Sequence, residues 1–360
     1  MQVELSYSEL AQRIRESRNG VFFVSGKTFE RANLSGKLGL DDGAINLGRF
    51  SNFSENPYYE EVVEGVDLYK KSNAEIIVAV GGGTAIDLAK LIKYYAEFDF
   101  SDPTEELPTV DSVNRDIQIV AVPTTFGTGS ESTHFAVMYY QGKKYSVASD
   151  DLLPDMILID ESFSATLPKK VKASSCLDAL CQAIESLWSK NCTEESAGYA
   201  IQAIESIVRY FEGYVTSDFG AAHVARAANL AGKAINITKT TAPHALSYTL
   251  TSDYSIPHGH AVALCIRNVF EINLSKISDL QCAADLAMKR VFQAMGVDSS
   301  AEAKALVEKF MKLSSLEVNF KSLGVPANDL DRIVNHVNLE RLSNHPVDLA
   351  REDLLYMLTD

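Results

Sequence analysis

Two Pro-His dipeptides and one helical segment carry side chains that could bind a single divalent metal ion. His244 and His258 each follow a proline directly. Because proline is favoured at the first position of a helix, each histidine would lie in an opening helical turn. Asp178 and Gln182 are four residues apart, which in an α-helix places both side chains on one face. Either histidine alone would more often be a helix-start residue than a ligand, so the predicted metal site depends on all four residues together.

The composition indicates a globular protein of two domains with an acidic surface. The chain has 360 residues, beyond the size at which one hydrophobic core usually stops growing. It contains 33 Lys and Arg against 48 Asp and Glu, a formal net charge of −15, which opposes non-specific attraction to nucleic acid and to anionic membranes. We therefore expect no nucleic-acid or membrane partner, and an anionic substrate would need a local positive pocket.

The N-terminal residues and the cysteines indicate the compartment. The first residues contain no apolar run of the signal-peptide type, and no stretch of about 20 apolar residues could span a membrane. The 5 cysteines are odd in number and include no CxxC pair, which argues against a disulfide framework or a zinc ribbon. We therefore expect a soluble, cytoplasmic protein with reduced thiols.

The N-terminal part of the sequence alternates short β-rich runs with helical patterns, which is typical of βα units around a mostly parallel sheet. The runs are nearly continuous in Val and Ile, as in buried parallel strands. We predict parallel strands at 21–24, 76–80, 117–122 and 156–159, and an antiparallel hairpin formed by 135–140 and 145–147.

Long helical periodicities replace the β-rich runs in the second part of the chain. The clearest helical patterns cover 173–190, 194–210 and 221–234. We therefore predict an α/β dinucleotide-binding domain at 1–162 and an all-helical, metal-binding domain at 163–360. His336 and His345 lie in polar stretches and are predicted to be surface residues.

The predicted strand at 76–80 runs directly into the loop Gly81-Gly82-Gly83-Thr84, and a helical pattern follows. Glycines let a phosphate approach the backbone, and a helix N-terminus supplies N–H groups and a positive dipole end. We therefore expect the loop to bind a pyrophosphate, although a junction of this kind can also be only a tight turn.

A second junction of strand and loop follows 117–122. It contains the hydroxyl groups of Thr124, Thr125 and Thr128. These could line the same crevice at the carboxyl ends of the strands, or form a simple hydroxyl-rich turn.

Five segments of the sequence resemble the iron-containing (group III) alcohol dehydrogenases. In chain order they are GGGTAIDLAK, PTTFGTGSE, LPDMILID, CLDALCQAIES and HALSYTLTSDYSIPHGHA. The resemblance implies an α/β dinucleotide-binding domain with a mostly parallel sheet, an all-helical C-terminal domain, and a metal site in the cleft between them. It also implies direct hydride transfer between a nicotinamide and a carbonyl carbon whose oxygen is polarised by the metal.

The resemblance assigns cofactor contacts to residues of the first domain. Residues 81–84 match the pyrophosphate loop, Asp87 belongs to the same cofactor-binding set, and the three threonines match hydroxyls of the cofactor groove. Lys144 matches a lysine near the nicotinamide ribose. Arg49 and Ser51 lie where members that prefer NAD carry an acidic residue for the adenosine ribose. Because Arg49 could pair with a 2′-phosphate, NADPH is favoured over NADH, unless Arg49 is only a surface residue.

The four metal positions of the family match Asp178, Gln182, His244 and His258. Fe²⁺ is the first choice, with Mn²⁺ and Zn²⁺ as alternatives. Common members carry histidine in place of Gln182, so an amide oxygen replaces an imidazole nitrogen and affinity for zinc should fall. Gln182 could also only hydrogen-bond to a water in that position. Many members carry a further histidine in place of Tyr248, so the proton relay is expected to run through Tyr248, His260 or solvent.

With these departures and the segments TKTTAPHALSY and IPHGHAVAL, the sequence is most similar to the branch that reduces phosphonoacetaldehyde to 2-hydroxyethylphosphonate. Lys239, Thr240 and Ser247 could supply donors for the dianionic phosphonate, although a structural role is the more common one for each. A small aldehyde or alcohol is thus the expected substrate, and a homodimer is the assembly considered. Two alternatives stay open: a metal- and NAD-dependent lyase resembling dehydroquinate synthase, and a non-catalytic binding protein whose metal site is lost at Gln182.

Overall fold

The chain forms two compact units. The computed structural model describes residues 2–40, 47–100, 106–277 and 282–360. One unit contains Met1–Thr125 and Ser130–Phe163, and the other contains Phe126–Gly129 and Ser164–Asp360.

The first unit is an α/β unit in which strands and helices alternate. Its strands are β1 (Val3–Glu4), β2 (Val21–Val24), β3 (Leu47–Phe50), β4 (Ile76–Gly81), β5 (Gln118–Pro123), β6 (Phe135–Tyr140), β7 (Lys143–Ala148) and β8 (Met156–Ile157). Its helices are α1 (Tyr7–Glu16), α2 (Thr28–Arg31), α3 (Leu34–Leu38), α4 (Tyr59–Ser72) and α5 (Gly83–Tyr94). Six strands form a wholly parallel sheet in the order β1-β8-β5-β4-β2-β3, and β6 pairs with β7 as an antiparallel hairpin. The predicted mostly parallel sheet and the hairpin are confirmed.

The interior strands of this sheet are those that the sequence predicts best. Every residue of β2 and β4 is buried, as expected for runs of Val, Ile and Phe that are covered on both faces. Strand β8 is shorter than the predicted 156–159, and β1 and β3 were not predicted. Both lie at the edges of the sheet, where β3 has exposed and half-buried residues and therefore lacks the continuous apolar pattern.

The second unit is helical. Its helices are α6 (Lys169–Trp188), α7 (Glu194–Ser217), α8 (Ala221–Thr238), α9 (Ala242–Tyr254), α10 (His258–Ile266), α11 (Val269–Lys276), α12 (Ala283–Met295), α13 (Ser300–Leu313), α14 (Leu330–Asn335), α15 (Leu339–Ser343) and α16 (Arg351–Met357). Helix α6 is its centre, because every residue from 172 to 188 except Ser175 is buried. Helices α6, α7 and α8 confirm the three predicted helical segments, and the last two extend beyond their predicted ends. None of the helices in the described ranges combines the length and apolar character that crossing a bilayer requires.

The prediction that His345 lies at the surface is wrong. His345 is fully buried, its Nε2 lies 2.8 Å from Oδ1 of Asn273, and its ring meets that of Trp188 edge-on. Burial lowers the pKa of this imidazole to about 3. The local sequence around His345 is polar, and α6 and α11, which contribute the side chains that contact it, lie far away along the chain. His336 is exposed, as predicted.

Helix α10 begins in direct backbone contact with α6. A Cβ atom added at Gly259 would lie 1.9 Å from the carbonyl oxygen of Ser174 and 2.7 Å from Cβ of Asp178. Only glycine permits this approach, because no real Cβ atom tolerates such distances. Gly259 therefore sets how near its neighbour His258 comes to α6.

Alanine at Gly259 should force the two helices apart. We expect Gly259→Ala to lower the free energy of unfolding by about 1–3 kcal/mol, the usual cost of overpacking. The matched control is Gly198→Ala on α7, where the glycine is exposed and no atom lies within 4 Å of the added Cβ. That change should be neutral or stabilise the protein by up to about 1 kcal/mol, since alanine favours helix. Urea denaturation of both metal-free variants measures the difference, and equal unfolding curves would contradict the expected contact.

Candidate metal centre

Helix α6 carries two of the predicted metal-binding side chains on its buried face. Asp178 and Gln182 lie one turn apart, and their residues are only 3% and 4% exposed. A carboxylate in such an environment must be paired or must coordinate a cation, because burying it alone costs far more than folding can offset. The surroundings of Asp178 provide that compensation.

His244 and His258 lie in the first turns of α9 and α10, as the two Pro-His dipeptides predict. Pro243 lies within the first two residues of α9, and Pro257 is the N-cap of α10. Proline fixes the backbone at each helix start, so the position of the following imidazole is largely determined by where the helix packs. His244 is buried, whereas a third of the His258 side chain is exposed.

The structure brings three of the four predicted ligands together. One ligating atom from each of Asp178, His244 and His258 lies within 4.8 Å of the others. The Nε2 atoms of His244 and His258 lie 3.3 Å and 3.9 Å from Oδ1 of Asp178. Burial opposes ionisation of Asp178, but the positive charge of His258 and the hydrogen bond to His244 outweigh it, so the pKa of the carboxyl group stays below its usual value. The cluster is therefore built around an ionised carboxylate.

Gln182 has its amide oxygen free for a fourth interaction. Its Nε2 donates to the carbonyl oxygen of Thr128 at 3.2 Å, and its amide also hydrogen-bonds to Asp178. Among the described residues, nothing hydrogen-bonds to the buried Oε1. An unsatisfied buried acceptor costs about 1–3 kcal/mol, which a bound cation would relieve. A carboxylate, two imidazoles and an amide oxygen thus fit a divalent metal ion.

Glu185 orients His244, and its role was not predicted from the sequence. Its carboxylate is fully buried and pairs with Nδ1 of His244. It also accepts hydrogen bonds from the backbone N–H and the hydroxyl of Thr241, at 3.0 Å and 2.8 Å. Burial would lower the pKa of His244, but the carboxylates of Glu185 and Asp178 raise it to about 9. The signal was available, since Glu185 lies seven residues after Asp178 and so on the same helical face.

The two residues predicted to relay protons have different surroundings. The ring of Tyr248 stacks on that of His258, with centroids 6.0 Å apart and an interplanar angle of 14°. His260 is buried, and its Nε2 lies 2.7 Å from the carbonyl oxygen of Glu317. These contacts support a role beside the metal ligands for Tyr248 rather than for His260.

The three predicted substrate residues are engaged within the protein. Lys239 forms an ion pair with Glu340. Thr240 is buried, and its carbonyl oxygen accepts a hydrogen bond from Asn344 at 3.2 Å. Ser247 is fully buried, and its hydroxyl donates to the carbonyl oxygen of His244 at 2.9 Å. The contact of Ser247 is therefore structural and does not support substrate binding.

In the α/β unit, the predicted phosphate loop joins β4 to α5. Gly82 is the N-cap of α5, and no side chain caps this helix end. A Cβ atom at Gly82 would lie 2.9 Å from Oγ1 of Thr125, and the N–H of Thr124 donates to the carbonyl oxygen of Gly81. Two predicted loops thus lie side by side at the carboxyl ends of β4 and β5, where a helix N-terminus favours an anion.

The other predicted cofactor residues have different surroundings. Thr84 accepts a hydrogen bond from the backbone N–H of Asn56 at 3.3 Å. The carboxylate of Asp87 accepts from the Ser130 hydroxyl and from the N–H of Val137, so its contacts support a structural role. Lys144 lies on β7 and is exposed. Thr128 belongs to the segment 126–129, which is grouped with the helical unit, where its carbonyl oxygen contacts Gln182.

Arg49, predicted to favour a 2′-phosphate, is paired with a carboxylate. Its guanidinium donates to the carbonyl oxygens of Ser25 and Gly26 at 3.1 Å and 2.8 Å, and it forms an ion pair with Glu30. Ser51 is exposed just beyond the end of β3. The positive charge expected at this position is therefore offset by Glu30, which the sequence pattern did not indicate.

Comparison with known proteins gives the same family over almost the whole chain. Residues 3–161 match the family described as iron-containing alcohol dehydrogenase, and residues 172–360 match the C-terminal part of the Fe-containing alcohol dehydrogenase family. Both parts of the chain thus point to one family.

The individual relatives and solved structures differ from this chain at most positions of their sequences. Phosphonoacetaldehyde reductase of Streptomyces viridochromogenes is 30% identical over 78% of this chain and 74% of its own length. Choline dehydrogenase of Bacillus subtilis is 30% identical over 82% of this chain and 75% of its own length. The crystal structure of sulfoacetaldehyde reductase from Bifidobacterium kashiwanohense in complex with NAD+ has a TM-score of 0.86 at 25% identity and covers 99% of this chain and 96% of that one. The chain belongs to the iron-containing alcohol dehydrogenase family and is an iron-type, NAD(P)-dependent oxidoreductase.

Proposed function

We propose that this chain reduces phosphonoacetaldehyde to 2-hydroxyethylphosphonate with a nicotinamide cofactor and a divalent metal ion. The observation that carries the proposed chemistry is the convergence of Asp178, His244 and His258, together with the buried amide oxygen of Gln182, which has no hydrogen-bond partner among the described residues. The proposed substrate is supported by two relatives, whose names state reduction of phosphonoacetaldehyde and of sulfoacetaldehyde. Both compounds are two-carbon aldehydes with an anionic tetrahedral group.

When bound, the metal would act as a Lewis acid on the carbonyl oxygen, and the nicotinamide would supply the hydride. The residues of the chain prepare the site for this chemistry. Asp178 contributes the negative charge of the donor set, and Glu185 holds Nδ1 of His244 so that Nε2 faces Asp178. The Thr128 carbonyl holds the nitrogen of Gln182 and leaves its oxygen for the cation. We assign the metal to these four residues, with Fe²⁺ first and Mn²⁺ or Zn²⁺ as alternatives.

Tyr248 is the proposed proton donor for the alkoxide that reduction produces. It is half-buried, and its ring lies against that of His258, on the partly exposed side of the cluster. Burial raises the pKa of its hydroxyl, although Arg341 opposes the effect, so Tyr248 keeps its proton at neutral pH. A protonated hydroxyl is the form that a general acid needs.

Removal of the metal tests the proposed activity. We expect protein treated with a chelator to lose nearly all aldehyde-dependent oxidation of NADPH or NADH, because the carbonyl group is no longer polarised. Added Fe²⁺ should restore the rate, followed by absorbance of the reduced nicotinamide. The treated protein should keep its circular dichroism spectrum, which excludes unfolding. Full rate in protein shown by elemental analysis to be metal-free would contradict the proposal.

Exchange of the amide ligand should change the metal preference. We expect Gln182→His to bind Zn²⁺ about tenfold more tightly relative to Mn²⁺, because an imidazole nitrogen replaces an oxygen. Competition with a chromophoric chelator measures both affinities. Gln202→His, at an exposed position on α7, controls for an added histidine and should leave the ratio unchanged. An unchanged ratio in Gln182→His as well would show that this residue does not bind the metal.

The choice between NADPH and NADH should depend on the ion pair of Glu30 with Arg49. The carboxylate of Glu30 offsets the charge that would attract a 2′-phosphate, so the structure weakens the case for NADPH. We expect Glu30→Gln to raise kcat/KM for NADPH relative to NADH by up to about fivefold, the worth of an exposed ion pair. Arg49→Gln should change the same ratio in the opposite direction. Steady-state kinetics with both nicotinamides measures these ratios. If both variants kept the wild-type ratio, the ion pair of Glu30 with Arg49 would not lie near the ribose.

A further inference from the structure

A buried guanidinium group lies beside Tyr248. Arg341 is only 8% exposed, and its side chain hydrogen-bonds to that of Tyr248. Thr240 also hydrogen-bonds to Tyr248. The Tyr248 ring stacks on that of His258. A single tyrosine side chain therefore lies between the Arg341 guanidinium and the proposed metal ligands.

The short helix that carries Arg341 is held in place. The side chain of Asn338 caps α15 by accepting from the N–H of Arg341 at 2.9 Å. At the other end, Asn344 donates to the carbonyl oxygen of Thr240 at 3.2 Å, which ties α15 to the start of α9. Glu340, the neighbour of Arg341 along this helix, forms its ion pair with Lys239. The guanidinium is thus positioned by contacts that do not involve the metal ligands.

A positive charge in this place has a chemical consequence. The chain carries a formal net charge of −15, so an anionic substrate needs a local cation to enter and stay. A guanidinium presents a planar array of N–H donors that matches two oxygens of a phosphonate or sulfonate, and such charged hydrogen bonds are stronger where water is excluded.

We propose that Arg341 binds the anionic group of the substrate and restricts the enzyme to short aldehydes that carry an oxyanion at the far end. This assignment rests on the proposed function, since it places the carbonyl group at the metal and the anion beside Tyr248. It replaces Lys239, whose side chain is 40% exposed and is ion-paired, as the main anion contact. The same charge would disfavour a cationic substrate of the choline type.

Three aldehydes of similar shape and different charge test the assignment. They are phosphonoacetaldehyde, which is anionic, tert-butylacetaldehyde, which is neutral, and trimethylammonioacetaldehyde, which is cationic. Sulfoacetaldehyde is added to distinguish a phosphonate from a sulfonate preference. In the metal-loaded wild-type enzyme, we expect the anionic compounds to have the highest kcat/KM and the cationic compound the lowest.

Arg341→Gln should act on charge rather than on turnover. We expect it to lower kcat/KM for both anionic aldehydes roughly 10- to 100-fold, mainly through KM, because a charge-assisted hydrogen bond is lost. The neutral aldehyde should change less than about threefold, and the cationic one should improve. Arg341→Lys should fall between the variant and the wild type for the anionic compounds. Arg351→Gln, which removes an exposed, ion-paired arginine from α16, should affect none of them.

Several outcomes would overturn the inference. An equal loss for all three charges in Arg341→Gln would mean that Arg341 acts only through folding or through Tyr248. A selective loss in Lys239→Gln, with no such loss in Arg341→Gln, would move the anion site to Lys239. A wild-type enzyme that reduces only the neutral or cationic aldehyde would refute the anion assignment but leave the proposed redox reaction intact. Failure to reduce any aldehyde would refute the proposed function itself.

Binding without turnover provides a second measurement, which begins with the wild-type protein alone. Methylphosphonate should raise the melting temperature of the wild-type protein, whereas tetramethylammonium should not, because only the first can pair with a guanidinium. Arg341→Lys should reduce the shift. Equal effects of both compounds on the wild type would overturn the assignment.

Discussion

The proposed metal site depends on one buried interaction, the pairing of the Glu185 carboxylate with the imidazole of His244. The same carboxylate accepts two hydrogen bonds from Thr241 at the start of α9. A buried carboxylate that lost these partners would destabilise the fold strongly, so α6 and α9 have one favourable arrangement. That arrangement directs Nε2 of His244 at Asp178. Contacts within the protein therefore hold this donor in position.

Close backbone contacts hold two further segments against α6, namely the start of α10 and the segment 126–129. Gly259 lets α10 reach Ser174, and a Cβ atom at Gly127 would lie 2.5 Å from the carbonyl oxygen of Ser175. The second contact brings the segment 126–129 against α6, where the Thr128 carbonyl meets the amide of Gln182. Since neither contact contains a side chain that could adjust, the spacing of the donors is fixed by the backbone. Small residues at these positions are thus a requirement of the site.

Local patterns predicted the residues of the proposed metal site, whereas the burial of other residues depends on long-range packing that the local sequence does not show. Asp178 and Gln182 are found from helical spacing, and Val- and Ile-rich runs predict the interior strands because burial on both faces requires them. Arg341 and His345 lie in polar segments without periodicity, and their burial arises from elements that are distant in sequence. Ser247 shows the converse case, because its hydroxyl donates to a carbonyl oxygen of its own helix, a local contact that serine side chains often make.

Gln182 and His244 would make opposite contributions to cation binding at the proposed site. Oε1 of Gln182 is a buried acceptor with no hydrogen-bond partner among the described residues, and a cation would satisfy it. The carboxylates of Glu185 and Asp178 raise the pKa of His244, so a cation at Nε2 would have to displace a proton. Because Nε2 lies beside Oδ1 of Asp178, the cation would bring its charge to the place from which the proton leaves. We therefore expect the ionised Asp178 to keep a positive partner when the cation binds.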